Sequence, residues 1–227
     1  MKRTALIFSL TLLIGMFGLS SAFAQEGVKI GFRASPLVGW AKVSNDSTKT
    51  KPAGLTTKAG VGFSFDFVFT YGFTDAVGLK TGINIATKTV KSEYDLGAFG
   101  NIDQNVNFTA VEIPIGLKFR SPEIGDGMYI VGHFGVNPEI NVQNKVKTET
   151  TVPGVGTSTT EQVDVDGIRL LTGSFVPGVG LDWEFDWGML EFAATYHWGL
   201  LSYTDPDKNG GNVSKLNYIA LNLGYFF

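Results

Sequence analysis

Apolar and polar residues alternate with a period of two through most of the chain, most clearly from Ala59 to Tyr71. Ala59, Val61, Phe63, Phe65, Phe67, Phe69 and Tyr71 share one parity, while Gly60, Gly62, Ser64, Asp66 and Thr70 take the other, with Val68 as the exception. Successive side chains of a strand point to opposite faces, so this run reads as one strand with an apolar and a polar face. The same pattern predicts eight strands, at about 28–40, 57–71, 76–89, 108–120, 128–142, 168–185, 189–201 and 216–227. After Gln25 no segment shows a convincing helical period.

The connections alternate in length. Long polar loops follow the odd strands, at about 41–56, 90–107, 143–167 and 202–215. Short turns follow the even ones: Gly72-Phe73-Thr74-Asp75, Ser121 to Gly127, and Asp186-Trp187-Gly188. An up-and-down sheet then carries every long loop at one end. Bacterial outer-membrane barrels have short periplasmic turns, long extracellular loops and an even strand number. The expected fold is an all-β, eight-stranded antiparallel up-and-down transmembrane β-barrel with both termini periplasmic.

Residues 1–24 read as a cleaved signal peptide. Lys2 and Arg3 precede an apolar stretch from Ala5 to Leu19, and Ala22-Phe23-Ala24 supplies a small-x-small cleavage site. The barrel domain is therefore expected over 25–227. The apolar stretch is shorter than the roughly 20 residues a membrane helix needs.

Composition narrows the functional classes. The 227 residues include 29 Gly and 18 Phe, only 17% are charged, and there is no Cys. Gly costs about 1 kcal/mol per helix position, so this mixture favours strands. Without Cys there is no disulfide scaffold, Cys-ligated metal site or Cys nucleophile. A net charge of −3 with no basic run disfavours nucleic acid as a partner. No cofactor is implied.

Parity also lists the polar face. Its basic members are Lys29, Arg33, Lys80, Lys118 and Arg120, and its acidic ones Asp66, Glu112, Asp182, Glu184 and Glu191. An eight-stranded barrel has an interior just wide enough for side chains to fill, and charges there must pair. The expected interior network is Arg33, Asp66, Lys80, Glu112, Lys118, Asp182 and Glu191, interleaved with Gly60, Gly62, Gly82, Gly116, Gly178, Gly180 and Gly199. Lys29, Arg120 and Glu184 are expected at the short-turn rim. Phase alone leaves open which face is outside, because a soluble lipocalin-like barrel would turn its apolar face inward. The bulk of the aromatic face and the loops gathered at one end favour an apolar exterior. Tyr225 and Phe227 on the last alternating strand are expected to act as the signal read by the barrel assembly machinery.

Several segments carry a family resemblance. Val111-Glu112-Ile113-Pro114-Ile115 is the most specific, beside Gly72-Phe73-Thr74-Asp75, Tyr196-His197-Trp198-Gly199-Leu200 and Leu223-Gly224-Tyr225-Phe226-Phe227. Together they resemble the PorT-like outer-membrane β-barrel domain family, the porin family proteins of Bacteroidota. Leu201-Ser202-Tyr203 departs from the Asn-Ile-like segment that family often has there. The resemblance implies an integral outer-membrane barrel of Gram-negative type, without a fixed substrate.

The function expected is a barrel with a largely plugged polar interior. It would serve a structural or surface-interaction role, touching outer-membrane lipids and an extracellular or envelope protein through its loops. The longest loop, 143–167, has a turn signal at Pro153-Gly154 and could rise as a hairpin above the membrane. A small passive porin is the alternative. A lipid-modifying enzyme would need a Ser/His/acid set, and His197 near Ser202 is the only suggestive cluster, so no enzymatic activity is expected.

Overall fold

The computed structural model describes residues 27–227. The signal peptide expected at 1–24 lies outside them. Eleven strands follow one another: β1 (Val28–Asn45), β2 (Leu55–Lys58), β3 (Gly60–Gly72), β4 (Val77–Asp95), β5 (Asn101–Glu112), β6 (Ile115–Arg120), β7 (Met128–Val152), β8 (Gly156–Val163), β9 (Leu171–Phe185), β10 (Gly188–Gly199) and β11 (Asn212–Phe226). They form one sheet, and among the described residues its strands pair antiparallel.

The eight-stranded fold read from the alternation is thus corrected to an eleven-stranded sheet. Three local causes account for the difference. The expected strand 108–120 is split at Pro114, which has no N–H to give the ladder; β5 ends before it and β6 resumes after it. The expected strand 57–71 is broken at Ala59, so that β2 pairs with β4 alone while β3 lies between β1 and β4. The third cause is that loop 143–167 is largely strand. β7 runs on to Val152, the chain turns at Pro153 and Gly154, where Gly154 has φ 77°, and β8 returns along β7. A positive φ at that corner suits Gly.

The pairing path runs β2-β4-β3-β1-β11-β10-β9-β7-β5, and β5 also pairs with β4. Beside this path β6 fills the gap between β4 and β7 below Pro114. Asp66 of β3 faces Arg33 of β1, and Asp182 of β9 faces Glu191 of β10, so register sets the polar face in advance.

Burial settles which face is outside. Phe63, Phe65, Ile85, Phe134, Leu221 and Leu223 are all exposed, while Asp66, Glu112, Asp182 and Glu191 are fully buried. The apolar parity therefore faces outward and the polar parity inward. Aromatic rings collect at both edges of the apolar band. At the short-turn end Trp183, Phe185, Trp187, Tyr225, Phe227 and Phe32 run in contact, with centroids 4.6 to 6.1 Å apart. At the other end Trp40 stacks on Tyr196 at 6.1 Å. Phe32 to Trp40 spans roughly 26 Å along β1 at about 3.3 Å per residue. With a strand tilt of about 40°, that is roughly 20 Å of height, close to the ~25 Å apolar band of an outer-membrane barrel.

Glycines on the inner parity let neighbouring strands approach. A Cβ on Gly62 would lie 2.1 Å from the Thr87 carbonyl oxygen, closer than any side chain can sit.

Candidate functional site

The enclosed face is filled in layers, in the order the strands carry them. At the short-turn end Glu184 accepts from Lys29 and lies 2.8 Å from Arg120. The Arg120 guanidinium stacks on Tyr129 at 3.4 Å. Open space of about 200 Å³ beside this rim is lined by Lys29, Lys118, Arg120 and Asp182 among others.

Next comes a small apolar layer of Val68, Met189 and Phe226. Above it lie three cations and three carboxylates: Arg33, Lys80 and Lys118 against Asp66, Asp182 and Glu191. Arg33 donates to Asp66. Lys80 Nζ donates to both oxygens of Glu191, at 2.6 and 2.8 Å. Lys118 Nζ bridges Asp182 at 2.7 Å and Glu191 at 3.0 Å. Both lysines also lie near the Phe226 ring, at 5.9 and 5.5 Å from its centroid.

A cavity of about 60 Å³ follows, walled by Arg33, Lys80, Asn84, His133, Asn137 and His197 among others. Gly116 and Gly135 face each other across the β6–β7 pair and leave this space free of side chains. Asn84 Oδ1, Asn137 Oδ1 and both ring nitrogens of His133 have no hydrogen-bond partner here. The volume suffices for a few waters, each needing only ~10–15 Å³ of such space.

A second charged layer is built on Lys88, Glu112 and Glu139. Lys88 Nζ donates to Glu139 at 2.7 Å and forms an ion pair with Glu112. Glu112 also accepts from Asn84 Nδ2 at 2.9 Å, Asn137 Nδ2 at 2.6 Å and Tyr218 Oη at 3.2 Å. His197 stacks on Tyr218 with centroids 3.9 Å apart. The long-loop end is closed by an apolar cluster of Ala41, Val90, Val106, Phe108, Val146 and Tyr203. Tyr203 lies in the β10–β11 connection, packs edge-on to Phe108 at 5.0 Å, and burial pushes its hydroxyl up to about 12.

Six of the seven residues expected in the interior network, Arg33, Asp66, Lys80, Lys118, Asp182 and Glu191, meet in the lower layer. Glu112 lies apart from them, in the upper layer with Lys88 and Glu139. Those two partners were not among the sequence candidates. Their signal was the same parity: Lys88 is in phase with Lys80, and Glu139 with His133. The inward apolar residues that cap the layers were missed too. Of the expected assembly-signal residues, Phe227 is 45% exposed on the outer face, while Tyr225 Oη donates to the Trp187 carbonyl at 2.8 Å.

His197 and Ser202 do not form a catalytic pair. His197 Nδ1 lies 3.4 Å from Ser174 Oγ, and Ser202 Oγ donates to the Thr204 carbonyl at 2.8 Å. Ser174, His197 and Glu139 are neighbours, but Ser174 donates its proton to Glu139 at 3.1 Å, so the acid holds the serine rather than the histidine. A triad needs the opposite order. Among the described residues no group of three or more His, Asp or Glu is placed to hold a metal ion.

Beyond the aromatic edge the long strands continue as a second structure. β2, the ends of β4, β5 and β7, and β8 pair side by side, from Leu55↔Tyr94 through Asp95↔Asn101 and Asn101↔Thr151 to Thr151↔Thr157. β8 pairs with β7 alone, and all eight of its residues are exposed.

A comparison with protein families agrees with this architecture. The family model described as "Outer membrane protein beta-barrel domain" matches residues 23–205. No curated protein matches the chain. Among solved structures, the attachment invasion locus protein Ail of Yersinia pestis is similar at 16% identity, covering 89% of this chain and 100% of that one, with a TM-score of 0.38. The outer membrane protein OprG of Pseudomonas aeruginosa is similar at 15% identity over 88% and 96%, with a TM-score of 0.45. Neisserial surface protein A is similar at 11% over 86% and 95%, with a TM-score of 0.38. With its outward apolar band, its inward charges and a family model spanning most of its length, the chain belongs to the outer membrane protein beta-barrel domain family.

Proposed function

We propose that this chain is a closed outer-membrane barrel that works at the cell surface, by presenting the extracellular sheet of β2, β4, β5, β7 and β8 to a protein partner. The observation that carries this reading is the edge strand β8. Its sequence Gly156–Val163 has one charge, Glu161, and no Lys, Pro or bulge to blunt it. Natural proteins usually protect exposed edges in those ways, because a bare edge offers its N–H and C=O groups to another strand. Strand addition is a common mode of peptide recognition. The closed interior is supported by the two ionic layers and the apolar cap, which leave little room for a solute path.

In the same reading, the mature chain starts at Gln25, and Tyr225 and Phe227 form the part of β11 that the assembly machinery reads. The finer placement among PorT-like proteins rests on Glu112-Ile113-Pro114, where the proline parts β5 from β6.

Deletion of Thr148–Thr159 tests the surface role. The shortened protein should still reach the outer membrane and keep its heat-modifiable migration on gels. Surface crosslinking of whole cells should then lose the higher-mass adducts that the full chain forms. Identical adducts with and without the hairpin, or none in either case, would refute the role of the edge.

A further inference from the structure

Where β1, β10 and β11 reach the extracellular end, the outer wall changes character within two residues. Trp40 of β1 stacks on Tyr196 of β10, and Trp198 stands 57% exposed beyond them. Lys42 follows Trp40 on the same outward parity, and its cross-strand partner on β11 is Lys215. Like charges directly opposite each other on adjacent strands are destabilising. Lys49 and Lys51, from the β1–β2 loop, line the same groove with Lys42, Ser44 and Thr57. The groove measures about 570 Å³ and has no carboxylate in its lining. Lys49 is held by Asp46 at 2.6 Å. Among the described residues, no carboxylate lies within ion-pair distance of Lys42, Lys51 or Lys215.

We infer that this groove binds the phosphorylated headgroup of an anionic glycolipid in the outer leaflet. An anion between Lys42 and Lys215 turns a repulsive pair into two attractive contacts, and Lys51 supplies a third ammonium. Lysine acts on phosphate as a point charge, so Lys42, Lys49 and Lys51 in the lining, with Lys215 across the strand pair from Lys42, need no bidentate geometry. The aromatic rings sit where amphipathic side chains meet the membrane–water interface, and their flat faces can pack against a sugar ring. Below them Val38, Ile219 and Leu221 are exposed and apolar, and offer a path for acyl chains. Phosphate above, ring in the middle and hydrocarbon below reproduce the order of groups in such a lipid. The volume lies within the ~300–1,000 Å³ range of small-molecule sites.

The test uses the full-length protein in detergent, with lipid A as probe and retained lipid counted by native mass spectrometry. The triple variant Lys42→Gln, Lys51→Gln, Lys215→Gln should bind lipid A at least tenfold more weakly, and Trp198→Ala should weaken it several-fold. A control triple of lysines outside the groove, Lys145→Gln, Lys147→Gln, Lys208→Gln, should stay within twofold of the parent. Dephosphorylated lipid A should bind the parent no better than lipid A binds the groove triple. If the groove triple folds poorly, Lys51→Gln alone, outside any strand, should cost about threefold. The inference is overturned if the control triple weakens binding as much as the groove triple. It is equally overturned if phosphate on the lipid makes no difference, or if inorganic phosphate displaces lipid A at equal concentration.

Discussion

Replacing Glu191 with Gln removes the carboxylate on which the lower layer converges. Glu191 is fully buried and lies within 4 Å of Lys80, Lys118, Arg33 and His133. Arg33 keeps Asp66, and Lys118 keeps Asp182. Lys80 loses the carboxylate it holds at 2.6 Å and gains no other. The variant therefore carries one uncompensated buried ammonium, a situation that costs about 3–5 kcal/mol. The ring of Phe226, 5.9 Å away, faces Lys80 in parent and variant alike and so offsets none of this loss. Against a typical stability of about 5–15 kcal/mol this is a large loss. The double variant Glu191→Gln, Lys80→Met removes both ends of the pair and leaves Arg33–Asp66 and Lys118–Asp182 intact. It should recover roughly 2–3 kcal/mol of the single variant's loss, as replacing a whole buried pair costs far less than breaking it. Urea unfolding in phospholipid vesicles, followed by tryptophan fluorescence, measures both. A Glu191→Gln cost below about 1 kcal/mol, or a double variant no more stable than the single, would mean that Glu191 does not hold Lys80 in charge balance.

Substitutions in the packing, on the outer face and in the cap have equally specific outcomes. Gly62→Val places a side chain against the Thr87 carbonyl, 2.1 Å from the first added carbon, and should prevent folding as judged by loss of the heat-modifiable band. Leu221→Arg, on the exposed apolar band, should cost about 2–4 kcal/mol in vesicles. Val155→Arg, at the 85% exposed hairpin tip, should stay within about 0.5 kcal/mol of the parent. Burial pushes the Tyr203 hydroxyl up to about 12 from its ordinary value of 10. Its contribution is therefore fully present below pH 10 and is lost as pH rises through about 12, because the unfolded chain ionises first. The stability difference between the parent and Tyr203→Phe should narrow over that window, and a difference constant from pH 9 to 12 would contradict it.

Alternation carried the two faces well, because side-chain direction in a strand is fixed by the backbone. The run from Val61 to Tyr71 is outward and Asp66 inward, as their parity requires. Strand number was less legible, for alternation does not register a missing N–H. Pro114 therefore stayed hidden inside an apparently continuous strand. The ends of β4, β5 and β7 read as loops because, beyond the buried Val90, Val106 and Val146, they are mostly polar on both faces, as residues standing in water on both sides are. The interior network was only partly legible. Parity found charges but not partners, and Glu112 pairs with Lys88 across the β4–β5 register rather than with the lower cations. The inward apolar residues Val68, Phe226 and Phe108 broke the expected polar face, and they make the apolar layers between and above the charges.

These layers, as proposed, shut the lumen to solutes and ions. Planar-bilayer recording of the purified full-length protein tests this most directly. A lumen shut in this way gives a flat baseline at ±100 mV for the parent and for the Thr148–Thr159 deletion alike. Stable, stepwise open currents from the pure parent protein would contradict it.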